Sequence, residues 1–332
     1  MLKCNKSQKI YVVCPPYKRT GGLELLHQLV YYLNKNGLNA FITYTNVVED
    51  FPTNEAYKGY VETFRRFEEI EDNKNNLVII SEHQLELMDM IENAKVAIWW
   101  LSVDNYLKVY DLVMAFKLLG IKGIAWYLKN RRWRYRVSKI NTRIDYNLAQ
   151  SHYAINYLQK NNFKNIEFLS DYINTDYLSV KISNKIRKNV VLYNPKKGNK
   201  FSKYLMKLDK EIEWIPLINL TNYQVRDLLM TSKVYVDFGN HPGKDRFPRE
   251  AAICGCCVIT GKRGSAKFEM DVMIDEKYKF IDSKENGKTI IECIKKCFNN
   301  FENSQADFDR YREMITKEQK QFENDVKKLF VE

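Results

Sequence analysis

With 332 residues the chain is long enough for two domains of roughly 150 residues each. Its hydrophobic content of 45%, with 22 tyrosines and 17 phenylalanines, excludes a disordered chain, and its longest apolar runs, VAIWWL and AAICGCCVI, fall far short of the ~20 residues that span a bilayer. A net charge of +12 favours anionic partners such as nucleotides, phosphorylated lipids, a membrane surface or nucleic acid. A generally Lys/Asn-rich composition accounts for the same excess with no partner at all.

In chain order, IYVVC (10–14) reads as a buried strand, followed by a loop and a helix in GGLELLHQLVYYLNKNG, where Leu25, Leu26, Leu29, Val30 and Leu33 fall at helical spacing. NAFITYT is the next strand, completing a β-loop-α-β unit that opens a parallel doubly wound sheet. NLVIIS and KVAIWWLS are further strands with a helix predicted between them in HQLELMDMIENA, while ETFRRFEEIEDNKNN reads as a solvated helix end or loop. NYLKVYDLVMAF is predicted as one helix, GIKGIAWYL and YNLAQS as strands, SHYAINYLQKNNF as a helix and NIEFLSDYIN as the strand leading out of the first domain.

A second α/β series begins at KNVVLYNPKKGNK and runs through the helix FSKYLMKLDK, the strand EWIPLI, the helix TNYQVRDLLMTS, the strand KVYVDFG and the strand KYKFIDS. The last segment reads as one long amphipathic helix with Phe308, Tyr311, Ile315, Phe322, Val326 and Leu329 on its buried stripe. The expected domains are residues 1–171 and 188–304, joined by a linker at 172–187, with a C-terminal helix over 305–332 packing back on the first domain. The seven cysteines are an odd number, against a complete disulfide framework; Cys254, Cys256 and Cys257 suit small core residues. The scattered His27, His83, His152 and His241 give no structural zinc site. The start has too short an apolar run for a signal peptide, so the expectation is a soluble, cytoplasmic protein.

Two Rossmann-like halves and a long final helix resemble the GT-B glycosyltransferases. GGLELLHQLVYYLNKNGLNAFITYT looks like the opening of that fold, and LAQSHYAINYLQKNNFKNIEFLSDYIN is similar to the segment that closes its first domain. VVLYNPKKG stands in the place of the first strand and phosphate loop of the donor domain. VYVDFGNHPGKDRFPREAAICGCCVITGKRGSAKFE looks like the donor signature of the family-4-type enzymes. That signature has two glutamates with seven residues between them; here the second falls on Glu250 and the first on Pro242, with His241 or Asp245 as substitutes. The resemblance implies two α/β domains with a cleft between them, an acceptor in the first and a nucleotide-diphosphate sugar in the second.

The residues supply fitting chemistry, each with a structural alternative. A diphosphate leaving group needs cations or helix N-termini, which the turn with Lys196, Lys197 and Lys200, together with Arg246 and Arg249, provides; an ordinary solvated loop is the alternative. Glu250 is either a grip on ribose hydroxyls or an ion-pair partner of Arg246 or Arg249. Gly264, in GKRGS, either lets backbone N–H groups approach the donor or makes a surface turn. In the first half, Gly21, Gly22 and Glu24 start a helix, and Ser102, Asp104 and Asn105 follow a strand at its carboxyl end, so all are acceptor-site candidates. Asp104 is either a general base or orienting group for the acceptor hydroxyl, or the N-cap of the next helix. LKNRRWRYRVSKINTR (128–143) carries seven cationic side chains and no acid, suiting an anionic membrane surface or nucleic acid, or else the solvated face of a crossover helix.

The expected function is transfer of a sugar from a nucleotide-diphosphate sugar to a surface glycan or lipid-linked saccharide, without a metal or other cofactor, at the inner membrane face. A sugar-nucleotide 2-epimerase of the same architecture, and a nucleic-acid-binding or DNA-modifying transferase, are the alternatives.

Overall fold

Strand β1 (Lys9–Cys14) is buried from its second residue to its last, as a strand covered on both faces must be, and its neighbour Leu77–Ser81 is buried throughout. The computed structural model describes residues 2–179, 182 and 187–331. The expected linker at 172–187 therefore lies partly outside the described residues, at 180, 181 and 183–186.

The described chain divides into two compact units, residues 2–171 with 320–331 and residues 172–319. Unit 1 continues from β1 through α1 (Gly21–Lys35), β2 (Asn39–Tyr44), β3 (Phe64–Arg66), β4 (Leu77–Ser81) and β5 (Lys95–Trp100). Four helices, α2 (Val103–Tyr110), α3 (Leu112–Leu119), α4 (Ile121–Lys129) and α5 (Val137–Arg143), cross to β6 (Tyr146–Ala149), α6 (His152–Lys160) and β7 (Ile166–Phe168). The strands form one parallel sheet in the order β3-β2-β1-β4-β5-β6-β7. Helix starts follow capping chemistry: Thr20, Ser102 and Ser151 each accept a bond from a backbone N–H of the first turn.

Unit 2 holds α7 (Thr175–Leu178), β8 (Lys188–Tyr193), α8 (Asn199–Leu208), β9 (Glu213–Pro216), α9 (Asn222–Thr231) and β10 (Ser232–Asp237). It continues with α10 (Arg246–Ile253), β11 (Cys257–Gly261), β12 (Lys279–Phe280), α11 (Gly287–Asn299), α12 (Phe301–Ala306) and α13 (Asp309–Phe330), whose residues from Lys320 onward belong to unit 1. Its parallel sheet has the order β12-β11-β10-β8-β9. Arg187, directly ahead of the interior strand β8, ties the amino end of this sheet to its helices, donating to the carbonyls of Leu229 and Ser232 at 2.9 Å each and to that of Cys254, where α9 and α10 end.

Four expectations are corrected. GIKGIAWYL is not a strand but helix α4, because Gly120, at φ 61°, ends α3 and starts α4 without leaving the crossover. HQLELMDMIENA forms only a short 3-10 segment over Leu85–Met90. NYLKVYDLVMAF breaks at Asp111, whose side chain caps α3 through the Met114 N–H at 2.9 Å. ETFRRFEEIEDNKNN, read as a solvated helix end or loop, contains β3, an edge strand of three residues with two arginines. The final helix is also interrupted before Asp309, yet all six residues of its predicted stripe are buried. No helix among the described residues is long and apolar enough to cross a membrane.

Candidate functional site

In an open parallel sheet, ligands lie beyond the carboxyl ends of the strands where the winding reverses. In unit 2 that point falls between β8 and β10, which are adjacent in space although β9 separates them in sequence. The loops leaving them touch backbone to backbone. Gly198, at φ 61°, has no room for a side chain, since a Cβ there would lie 2.2 Å from the Phe238 carbonyl oxygen. Gly239, at φ 95°, faces it, and a Cβ on it would lie 2.6 Å from the Gly198 nitrogen. Gly198 is also the N-cap of α8, so the first free N–H groups of that helix open beside the joined loops.

Beneath them lies a buried charge cluster. The Lys197 ammonium meets Asp237 Oδ1 at 2.9 Å and Asp245 Oδ2 at 2.6 Å, and His241 Nδ1 meets Asp245 Oδ2 at 2.8 Å. Burial pushes the Asp245 carboxyl up, but Lys197 and His241 outweigh it and hold the group down at about 2. Burial likewise lowers the Lys197 ammonium while Asp237 and Asp245 raise it, with a net rise. Asp237, His241 and Asp245 place ligand atoms within 4.8 Å of one another, a spacing that suits a metal ion. Lys197 already supplies positive charge to both carboxylates.

The donor candidates separate accordingly. Lys196 is exposed at the loop tip, whereas Lys197 is turned into the cluster. His241 is fully buried, with Nε2 3.1 Å from the Asp237 carbonyl oxygen, so it steadies its loop and presents no ring nitrogen at the surface. Arg249 is fully buried too: it bonds Glu318 on α13 at 2.8 Å and the carbonyls of Lys244 and Asp245 at 2.8 and 3.2 Å. Arg246 opens α10, and Glu250 follows one turn later, buried beside Tyr177 and Cys254, whose hydroxyl and thiol are raised by burial first and by the Glu250 charge second. Gly264, at φ 57°, is needed for loop contact, since a Cβ there would lie 2.0 Å from the His241 carbonyl oxygen, to which Ser265 N–H donates at 3.0 Å.

In unit 1 the winding reverses between β1 and β4. Gly21 and Gly22 begin α1 there, and a Cβ on Gly22 would meet only the Leu101 side chain just after β5, at 3.6 Å. Glu24 is buried and accepts from the Tyr60 hydroxyl at 3.0 Å. Ser102, not Asp104, is the N-cap of α2, accepting from the Asn105 N–H at 3.2 Å. Asp104 instead accepts from the Tyr153 hydroxyl at 2.9 Å.

Two residues escaped sequence reasoning. Asp237 and Glu82 both follow apolar strands, VYVD and LVIISE, and an acid directly behind such a run is the signal that locates them. Glu82 accepts from the Leu101 N–H at 2.9 Å; burial pushes it up to about 7, against bonds from Leu101, Ser102 and the Asn105 side chain. Across the same unit, burial lowers His27 to about 4, with Nδ1 2.7 Å from the Leu23 carbonyl and Nε2 2.6 Å from the Tyr44 hydroxyl.

These two groups give opposed pH dependences. The contribution of Glu82 is complete below its unfolded value near 4.5 and is lost as pH rises through about 7. That of His27 is complete above 6.5 and is lost as pH falls through about 4. Each is worth about 3 kcal/mol over its window. Measured against the wild type by urea unfolding, Glu82→Gln is expected to gain in relative stability from pH 5 to pH 8, and His27→Gln to gain from pH 7 to pH 4.5. Slopes of the same sign in both variants would reject these assignments.

No protein-family model matches the chain, and no curated protein matches it. Solved structures do. HepE of Anabaena, in complex with UDP, superposes with a TM-score of 0.62 at 9% identity, over 97% of this chain and 98% of that one. The pneumococcal O-GlcNAc transferase GtfA, in complex with UDP and GlcNAc, gives 0.61 at 11% identity over 97% and 99%. BGT of phage T4, in complex with UDP and Mn2+, gives 0.51 at 11% identity over 96% and 99%. At these identities the likeness defines the architecture: the chain has the GT-B fold.

Proposed function

We propose that the chain is a glycosyltransferase that takes a nucleotide-diphosphate sugar in unit 2 and an acceptor saccharide in unit 1. The observation carrying this reading is the junction of Gly198 and Gly239 at the winding reversal of unit 2. It brings the N-terminus of α8 and exposed Lys196 to the place where such a sheet receives phosphate. The fold relatives HepE and GtfA, crystallised with UDP, support the same donor class. We place the charge compensation of the loop cluster with Lys197, so that transfer proceeds without a metal, and the acceptor among surface glycans or lipid-linked saccharides.

UDP and UDP-sugars are expected to raise the melting temperature, a ligand at a hundred times its Kd stabilising the native state by about 2.7 kcal/mol. No shift with any nucleoside diphosphate or its sugar would sink the proposal.

On the acceptor side, Asp104 orients or deprotonates the attacking hydroxyl. Asp104→Asn keeps an acceptor for the Tyr153 hydroxyl and leaves the Ser102 cap untouched. It is expected to preserve melting temperature and donor affinity while slowing transfer by about tenfold or more, some 1.4 kcal/mol in the barrier. Transfer at the wild-type rate assigns Asp104 to structure.

A further inference from the structure

The crossover from β5 to β6 carries a pair of short helices that leave large apolar side chains in water. Helices α3 and α4 pack backbone against backbone: a Cβ on Gly123 would lie 2.1 Å from the Ala115 carbonyl oxygen. Ala115 and Tyr127 turn inward and are buried. Close approach on that side leaves Val113, Phe116, Leu119, Ile121 and Leu128 on the other, 51–80% exposed, with Trp126 and Trp133 38% and 47% exposed beside them. Apolar side chains gathered in this way on a folded surface mark a binding face.

Charge identifies what covers it. From Leu112 to Arg143 there are nine lysines and arginines and no acid. Arg132 is occupied by Glu86 at 3.0 Å and stacks over Tyr110 and Trp126, and Lys139 is occupied by Asp89 at 2.6 Å. Lys117, Lys122, Lys129, Arg131, Arg134 and Arg136 are exposed around the apolar tips. A second copy of this face would bring those six cations against their own kind. A bilayer with anionic headgroups satisfies both components, taking the apolar tips at the acyl boundary and the cations at the phosphates.

We infer that the α3–α4 hairpin is a membrane-docking element that inserts Phe116, Leu119, Ile121 and Leu128 into the interface of an anionic bilayer. This goes beyond the basic segment alone, which supplies attraction without insertion, and it does not depend on the transfer reaction proposed above.

The test is co-sedimentation with vesicles of phosphatidylcholine alone or mixed with phosphatidylglycerol, at low and high salt. The wild type is expected to bind the mixed vesicles, to retain part of that binding at high salt, and to shift its tryptophan emission to the blue. The triple variant Phe116→Ser, Leu119→Ser, Ile121→Ser, altered only at exposed positions, is expected to bind at least about tenfold more weakly and to be fully released by salt. Its melting temperature and nucleotide affinity should match the wild type. Trp126→Phe with Trp133→Phe should abolish the emission shift. Wild type that ignores phosphatidylglycerol vesicles at low salt overturns the inference, as does a triple variant that binds like the wild type. A wild-type dimer that the triple variant converts to a monomer also overturns it, because the face would then be covered by a second copy.

Discussion

Replacing Arg249 with alanine is expected to destabilise unit 2 by about 3–5 kcal/mol, the range for breaking a buried ion pair by removing one partner. Its guanidinium is fully buried and holds Glu318 Oε2, while Lys244 holds Glu318 Oε1, also at 2.8 Å. Alanine leaves Glu318 with one partner and strips the carbonyls of Lys244 and Asp245 of a donor. Lysine does not restore the site, because an ammonium lacks the guanidinium's planar fork and cannot bond a carboxylate and two carbonyls in the same arrangement. The double change Arg249→Leu with Glu318→Leu should cost less than the two single changes together, since no buried carboxylate is then orphaned. Urea unfolding monitored by Trp214 provides the measurement. Unchanged stability with lost nucleotide affinity would return Arg249 to the donor-binding role that the sequence motif implies.

Gly198→Ala is the second large effect expected. The position is left-handed, costing a non-glycine residue about 1–2 kcal/mol, and the new methyl meets the Phe238 carbonyl, an obstacle of backbone that no rotamer change removes. Together these amount to roughly 2–5 kcal/mol, and the loops after β8 and β10 must separate. If they form the donor site, UDP affinity measured by calorimetry falls by at least about tenfold even at temperatures where the variant remains folded. Gly59→Ala, where a Cβ meets nothing within 4 Å, is the control. Full UDP affinity in Gly198→Ala would separate the loop junction from the donor site.

Much of the fold was legible in the residues, for identifiable reasons. Strands buried on both faces, such as IYVVC and NLVIIS, are short apolar runs, and the leucines of GGLELLHQLVYYLNKNG fall at helical spacing. Helix α4 was misread because GIKGIAWYL is short, aromatic and β-branched, and a run of that length has no period that separates strand from helix. Strand β3 was missed because an edge strand of three residues needs only its pairing with Ile42–Tyr44, which nothing local encodes. The same holds at the candidate sites. The donor-like motif spans the loop after β10, but the partnership of Lys197 with Asp237 joins residues 40 positions apart, one in the loop after β8 and the other at the end of β10. Which cations remain open and which are neutralised is decided by that pairing, not by spacing along the chain.

The last turns of α13 bear on the order in which the polypeptide matures. Unit 1 is discontinuous: Phe322 stacks on Trp99 and edges onto Tyr32, and Cys4 N–H donates to the Phe330 carbonyl at 2.8 Å. During synthesis the earlier-made unit therefore waits with an open seam over Trp99 until residues 320–331 have left the ribosome, after the whole of unit 2. The later-made unit, one continuous stretch, is the first whose own sequence is complete. A nascent chain stalled before Lys320 would thus expose an apolar seam to chaperones in the half that was translated first.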